Sequence, residues 1–373
     1  MEELVKNFEK LLFSKDPKNI KLAFQLAQGN PKLQQHLQAI ETAYQALLER
    51  YTFESFEENL LEDYFNFNHS YYKDITPLWH LKSLSQLSIS SLKGAVLEPG
   101  MGQLIYLEKL NLSQNQLKHL PADIGQLKNL RELNLEFNAF EDLPDSLAKL
   151  TSLEELKLKY NALKYFPKAI TKIPQLKFLD TRANPLREVG PEIGNLKSLE
   201  RLFLTGEGYE GVFASSQLKT LPPEIGQLKQ LKHLQVSKCD LKYLPSEIAD
   251  LQQLEHLEVS QGLLRSLPSE IGQLQKLTIL EATHNELTSL PVSLAKLSNL
   301  RVLELDNNQL KELPLKQGAF PQLTSLYIRN NQFEQLPAEI GQLKSLKSLN
   351  IGDNKINTLP RELYKCTQLR KLE

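Results

Sequence analysis

Residues 107–129 read LEKLNLSQNQLKHLPADIGQLKN. Written as LxxLxLxxNxLxxLPxxIGxLxx, the stretch returns every 23 residues from near residue 84 almost to the last residue. A period of this size marks a solenoid, in which each unit buries its apolar face only against its neighbours. Repeats open at Leu84, Leu107, Leu130, Leu153, Leu176, Leu199, Leu231, Leu254, Leu277, Leu300, Leu323 and Leu346, about twelve in all. A truncated thirteenth starts at Leu369. No distinct C-terminal cap is visible, so that end reads as frayed, self-associated or the edge of a longer chain.

Each position of the unit has a physical reason. In LxxLxL the second and third leucines alternate with polar residues, as Leu133 and Leu135 do, which is the period of a strand with one face inward. The asparagine sits where the chain leaves the strand, and its side-chain amide can satisfy backbone groups of that loop and of the next repeat. Asn115, Asn138, Asn161, Asn184, Asn285, Asn308, Asn331 and Asn354 form this ladder, interrupted by Cys239 and Gly262. The EIGQL segment places isoleucine and leucine under a short helical turn. Gln317 fits the isoleucine position poorly, so the repeat from Leu300 is expected to return differently.

This unit resembles the leucine-rich repeat family, in its 23-residue LPxxIGxL type, found in intracellular Ras-group and scribble-like proteins and in many bacterial proteins. The resemblance covers residues 84–373. It implies an α/β solenoid, a horseshoe with a parallel β-sheet on the concave face and short helical or 3-10 turns on the convex face. It also implies a protein partner bound on the concave side, and neither catalysis nor a particular partner, since fold and function are separable.

Residues 1–68 lack the repeat and read as an α-helical N-terminal capping region, with 69–83 as a transition. Leu4, Phe8, Leu11 and Leu12 share one helical face. Asp16-Pro17 and Asn30-Pro31 are helix starts, an N-cap followed by proline at the first helical position. Leu33, Leu37, Ile40, Tyr44, Leu47 and Tyr51 follow at helical spacing, and Ser55 with Glu58 is a capping box for a fourth helix carrying Leu60, Leu61, Tyr64 and Phe65. Covering the open end of a solenoid is the favoured role; the alternative is an independent adaptor domain.

Composition narrows the function classes. Lys+Arg 44 against Asp+Glu 45 argues against general attraction to nucleic acid or membrane surfaces. No apolar run approaches the roughly 20 residues of a bilayer span, so no membrane insertion is expected, and no signal peptide is visible. Cys239 and Cys366 lie more than five repeats apart, beyond disulfide reach at about 4.8 Å per strand, and read as reduced inward-pointing thiols. A cytoplasmic location follows, with secretion lacking a cleavable signal as the alternative. P-loop, HExxH, GxSxG and CxxC patterns are absent, so the chain reads as no enzyme and implies no cofactor.

Binding candidates come from the outward strand positions and from departures from the period. Phe137, Tyr160, Phe178 and Phe203 fall on consecutive repeats, with Lys157, Lys159, Arg182 and Arg201 among the charges around them, as are Arg131, Glu136 and Asp180. Aromatics with arginine are the composition of interface hot spots; lateral packing between strands is the competing reading. The repeat from Leu199 is nine residues too long, with the excess near 206–214, where Tyr209 and Phe213 sit among glycines. That insertion reads either as a lid or partner anchor, or as a tolerated loop. Glu258, Glu281 and Glu304 form a secondary acidic column about 5 Å apart, which awaits a basic partner or is simply solvated, with Lys238, Arg301 and Arg329 close enough to offset it. His233 and His256 share one position beside it and with Glu258 can be drawn as a metal site, but two exposed histidines on a sheet do not close a ligand set, so no metal is assigned. The functional expectation is a non-enzymatic scaffold or adaptor binding a protein partner. The alternative is a bacterial effector or surface-associated protein acting on a host target.

Overall fold

The computed structural model describes residues 2–14, 16–51, 64–68, 79, 82–91, 97–205 and 216–373. The chain divides into two compact units, residues 1–157 and 158–373.

The first unit opens with three helices, α1 (Glu2–Leu12), α2 (Pro17–Gln28) and α3 (Pro31–Tyr51). Their starts follow the sequence signals. The Asp16 side chain accepts a hydrogen bond from the Lys18 N–H at 2.9 Å, and Asn30 accepts from the Lys32 N–H at 3.1 Å, satisfying donors that have no intrahelical acceptor. Phe8, Leu12, Ile20, Ala23, Leu33 and Leu37 are buried between the helices. Leu4, assigned to the same face, is instead 44% exposed, because the packed stripe of α1 runs through Phe8, Leu12 and Phe13.

Five parallel strands follow in this unit: β1 (Tyr64–Asn68), β2 (Gln86–Ser90), β3 (Lys109–Asn111), β4 (Glu132–Asn134) and β5 (Glu155–Lys157). The strand β1 corrects the expected fourth helix. Tyr64 and Phe65 lie in a strand that pairs with β2 over five residues, so the sheet begins before the first recognisable repeat. The rest of that helix, residues 52–63, and most of the transition lie outside the described residues. Trp79, which no pattern singled out, is buried against Gly100. That glycine has φ +133°, and a Cβ there would meet the Trp79 ring at 2.7 Å, so both the backbone angle and the contact demand glycine.

The second unit carries β6 (Phe178–Asp180), β7 (Arg201–Thr205), β8 (His233–Val236), β9 (His256–Glu258), β10 (Ile279–Glu281), β11 (Val302–Glu304), β12 (Ser325–Tyr327), β13 (Ser348–Asn350) and β14 (Lys371–Leu372). Consecutive strands pair in parallel. In both units the strand leucines point inward, and the chain returns through short 3-10 turns such as Ala122–Gln126 and Pro223–Gln227. Ile225 and Leu228 of the latter are fully buried, as the EIGQL pattern requires. The return after β11 is different, as Gln317 foretold. No 3-10 turn forms there among the described residues; the chain bends at Gly318 (φ +81°) and buries Ala319 and Phe320 while Gln317 stays exposed. Cys239 and Cys366 are free and buried.

The asparagine ladder forms, with one correction. Side chains such as those of Asn138, Asn184, Asn285, Asn308, Asn331 and Asn354 serve their own loop and the preceding repeat, not the next. Asn285 Nδ2 donates to the carbonyls of Ala282 and, one repeat earlier, Val259 at 2.8 Å, while its Oδ1 accepts from the Leu264 N–H at 3.1 Å. The residue before each ladder position is left-handed. Gln114, Phe137, Tyr160, Ala183, Lys238, Gln261, His284 and Asn307 have φ between 52° and 61°. None is glycine, although the left-handed region penalises a Cβ.

Candidate functional site

The strand face of the second unit is set by register. With the leucine between them turned inward, the first and third residues of each short strand face outward. One outward row is Phe178, Arg201, His233, His256 and Ile279; the other is Asp180, Phe203, Gln235, Glu258, Glu281 and Glu304. Two lateral networks run across these rows.

The first network is aromatic. The Phe178 and Phe203 rings lie 5.6 Å apart, Phe203 meets His233 edge-on at 4.7 Å, and His233 stacks on His256 at 4.1 Å with 20° between planes. The guanidinium of Arg201 sits 4.5 Å from the centre of the Phe178 ring, and that of Arg182 sits 4.8 Å from the centre of Phe203. Cation–π attraction of this kind strengthens as water is excluded. The second network is polar. Arg182 forks onto Asp180, with Nε–Oδ1 at 3.0 Å and Nη2–Oδ2 at 2.6 Å. Gln235 donates to Glu258 Oε1 at 2.9 Å and Ser237 donates to the same oxygen at 2.8 Å. His256 Nε2 lies 2.8 Å from Glu281 Oε1.

These contacts redistribute the expected site. Phe178, Arg182, Arg201 and Phe203 are brought together. Phe203, however, is only 9% exposed, wedged between Phe178 and His233 beneath Arg182, so lateral packing and a presented surface coexist in the same residues. Asp180 is no surface charge; it is 2% exposed and held by Arg182. Tyr160 is not on the strand at all. It occupies the left-handed turn position, is buried, and has the Lys159 ammonium 5.2 Å from its ring centre. Phe137 and Lys157 belong to the first unit. Phe137 is in the equivalent turn, 44% exposed, and Lys157 ends β5 with its Nζ 3.9 Å from Glu155. The strand face of that unit holds a shallow depression lined by Ser88, Lys109, Asn111, Glu132 and Asn134. Tyr209 and Phe213 lie outside the described residues.

The acidic column is in register as expected. Glu258 is met by Gln235 and Ser237, and Glu281 by His256. Arg329 turns instead to Asp353 at 2.7 Å. Burial raises the Glu304 carboxyl above its usual range, and the neighbouring charge of Glu281 adds to this. Burial, helped by the adjacent His256, lowers His233 to about 4, so its imidazole is neutral at pH 7. Gln235 and Ser237, which sequence reading passed over, are visible only once register puts them beside Glu258.

The pattern has relatives. The leucine-rich repeat region family matches residues 39–167, 159–262 and 212–313, and a second leucine rich repeat family matches residues 321–373. A leucine-rich repeat protein of Leptospira interrogans is similar at 35% identity, over 86% of this chain and 80% of that one, with a TM-score of 0.78. The Arabidopsis receptor kinase HAESA, in complex with the peptide hormone IDA and the co-receptor SERK1, is similar at 25% identity over 83% of this chain and 57% of that one, with a TM-score of 0.60. An internalin of Listeria monocytogenes shares the fold at 22% identity over 85% of this chain and 88% of that one, with a TM-score of 0.70. No curated protein sequence matches the chain. Among the described residues, no helix is long and apolar enough to cross a membrane.

Proposed function

The chain belongs to the leucine-rich repeat family, and from that premise we propose that it is a non-enzymatic interaction module that binds a protein partner on the strand face of its second unit. The observation that carries this reading is the row of Phe178, Phe203 and His233 with the Arg201 and Arg182 guanidiniums stacked over the phenylalanine rings. Stacking holds the arginines in place, so a partner ordering them loses little side-chain entropy. Aromatic and arginine side chains together are the usual anchors of protein interfaces. The peptide-bound state of HAESA supports the same class of partner. Tyr209 and Phe213 of the overlong repeat stay candidate anchors on sequence grounds, and Phe137, Lys157, Lys159 and Tyr160 are secondary candidates. Two buried, unpaired thiols support a reducing compartment, and hence a cytoplasmic scaffold over an exported effector.

Site-specific photo-crosslinking in the native host tests this. A photoreactive phenylalanine at Arg201 should give a discrete adduct with one protein, whereas the same group at Val292, 65% exposed in a return turn, should not. Equal labelling from both positions, or none from position 201, sinks the reading.

A further inference from the structure

We infer that His256, Glu258 and Glu281 form a binding site for a divalent transition-metal ion of the zinc class. The pleat puts His256 and Glu258 on the same face of β9, two residues apart. Parallel register puts Glu281 of β10 directly beside Glu258. One ligand atom from each of the three lies within 4.8 Å of the others. Donors around a tetrahedral zinc stand roughly 3.4 Å apart, from metal–ligand bonds of about 2.1 Å. Closing the widest gap therefore takes at most about 1.4 Å of movement, within reach of rotation at the ends of the glutamate side chains.

Two of the three ligands are held from behind. Glu258 Oε1 accepts from Gln235 and Ser237, which fixes the carboxylate while neither bond uses Oε2. The His256 ring is fixed by its stack on His233, which rests in turn on Phe203. Such outer contacts orient ligands before the ion arrives. His256 and Glu281 already share one hydrogen bond, Nε2 to Oε1 at 2.8 Å. Binding exchanges that bond for two coordinate bonds, with the imidazole proton carried on Nδ1.

Charge favours the same occupant. Glu258, Glu281 and Glu304 stack on three adjacent strands. Among the described residues, the only ion pair to this column is that of His256 with Glu281. A dication relieves that repulsion. One imidazole with two carboxylates suits zinc or manganese better than magnesium or calcium, which prefer all-oxygen sets. Three protein ligands leave the fourth position to water or to a side chain brought by a partner.

The test uses untagged full-length protein, stripped with a chelator and dialysed against zinc. Equilibrium dialysis with elemental analysis should show one zinc per chain, undiminished by excess magnesium, together with a rise in melting temperature, since a ligand bound only by the folded state stabilises it. His256→Ala and Glu281→Gln should each weaken binding at least tenfold while keeping the metal-free melt, and His119→Ala, on an exposed residue of the first unit, should not. Absence of stoichiometric uptake overturns the inference, as does unchanged uptake in both site variants. Either result leaves the photo-crosslinking outcome at Arg201 standing, because that reading needs no metal.

Discussion

Asn285 shows what a single residue does in this fold. Its amide meets the carbonyls of Val259, Ala282 and Thr283 and the N–H of Leu264, where the chain leaves the strand. Replacing it with alanine strands buried backbone polar atoms, which costs roughly 2–4 kcal/mol. Chemical denaturation should show that loss for Asn285→Ala, against a negligible change for Asn195→Ala, whose side chain is exposed on a return turn. The ladder was legible because asparagine recurs at a fixed place. The left-handed residue just before it was not. Its identity changes from glutamine to phenylalanine to histidine, since backbone geometry and not side-chain chemistry is what repeats there. Tyr160 was misplaced on the strand face for this reason. The burial of Asp180 was equally hidden, because nothing local announces that Arg182 folds back over it.

At the scale of elements, one carboxylate ties the N-terminal helices to the segment that leads into β2. Glu9 of α1 receives Lys82 Nζ at 2.6 Å and His36 Nε2 of α3 at 3.0 Å. Burial alone would raise the Glu9 carboxyl, but the hydrogen bonds and charges of Lys82 and then His36 outweigh it and hold the group below its ordinary value. A carboxyl with a lowered folded-state pKa contributes stability that is complete above the unfolded value and is lost as pH falls through the folded one. Wild type should therefore melt above Glu9→Gln at pH 7, and the difference should shrink to nothing as the buffer is taken below the usual carboxylate range. A gap that persists in acid would mean that Glu9 acts through packing alone. Helix starts at Asp16 and Asn30 were readable from capping chemistry. The strand β1 was not, since YFNFN lacks the leucine pattern and is a strand only because β2 offers it an edge.

For the whole molecule, the repeat architecture makes stability a sum of unit and neighbour terms, so different repeats need not open together. The two thiols report on this directly. Cys239 follows β8 and is 6% exposed, and burial raises its pKa. Cys366 is 4% exposed and is likewise raised by burial, opposed by Lys344. It caps the turn Arg361–Lys365, in which no residue is buried, and the following strand Lys371–Leu372 is exposed at both positions. Neither thiol should react with an aromatic disulfide reagent in the native state at neutral pH, because the thiolate is the nucleophile and both are disfavoured and covered. In rising urea, Cys366 should become reactive well before the loss of tyrosine and tryptophan fluorescence, and Cys239 only with it. Peptide mapping of the modified site at each urea concentration separates the two. Simultaneous labelling would show that the second unit opens as one cooperative body, with neighbour terms strong enough to carry its last turns along with its centre.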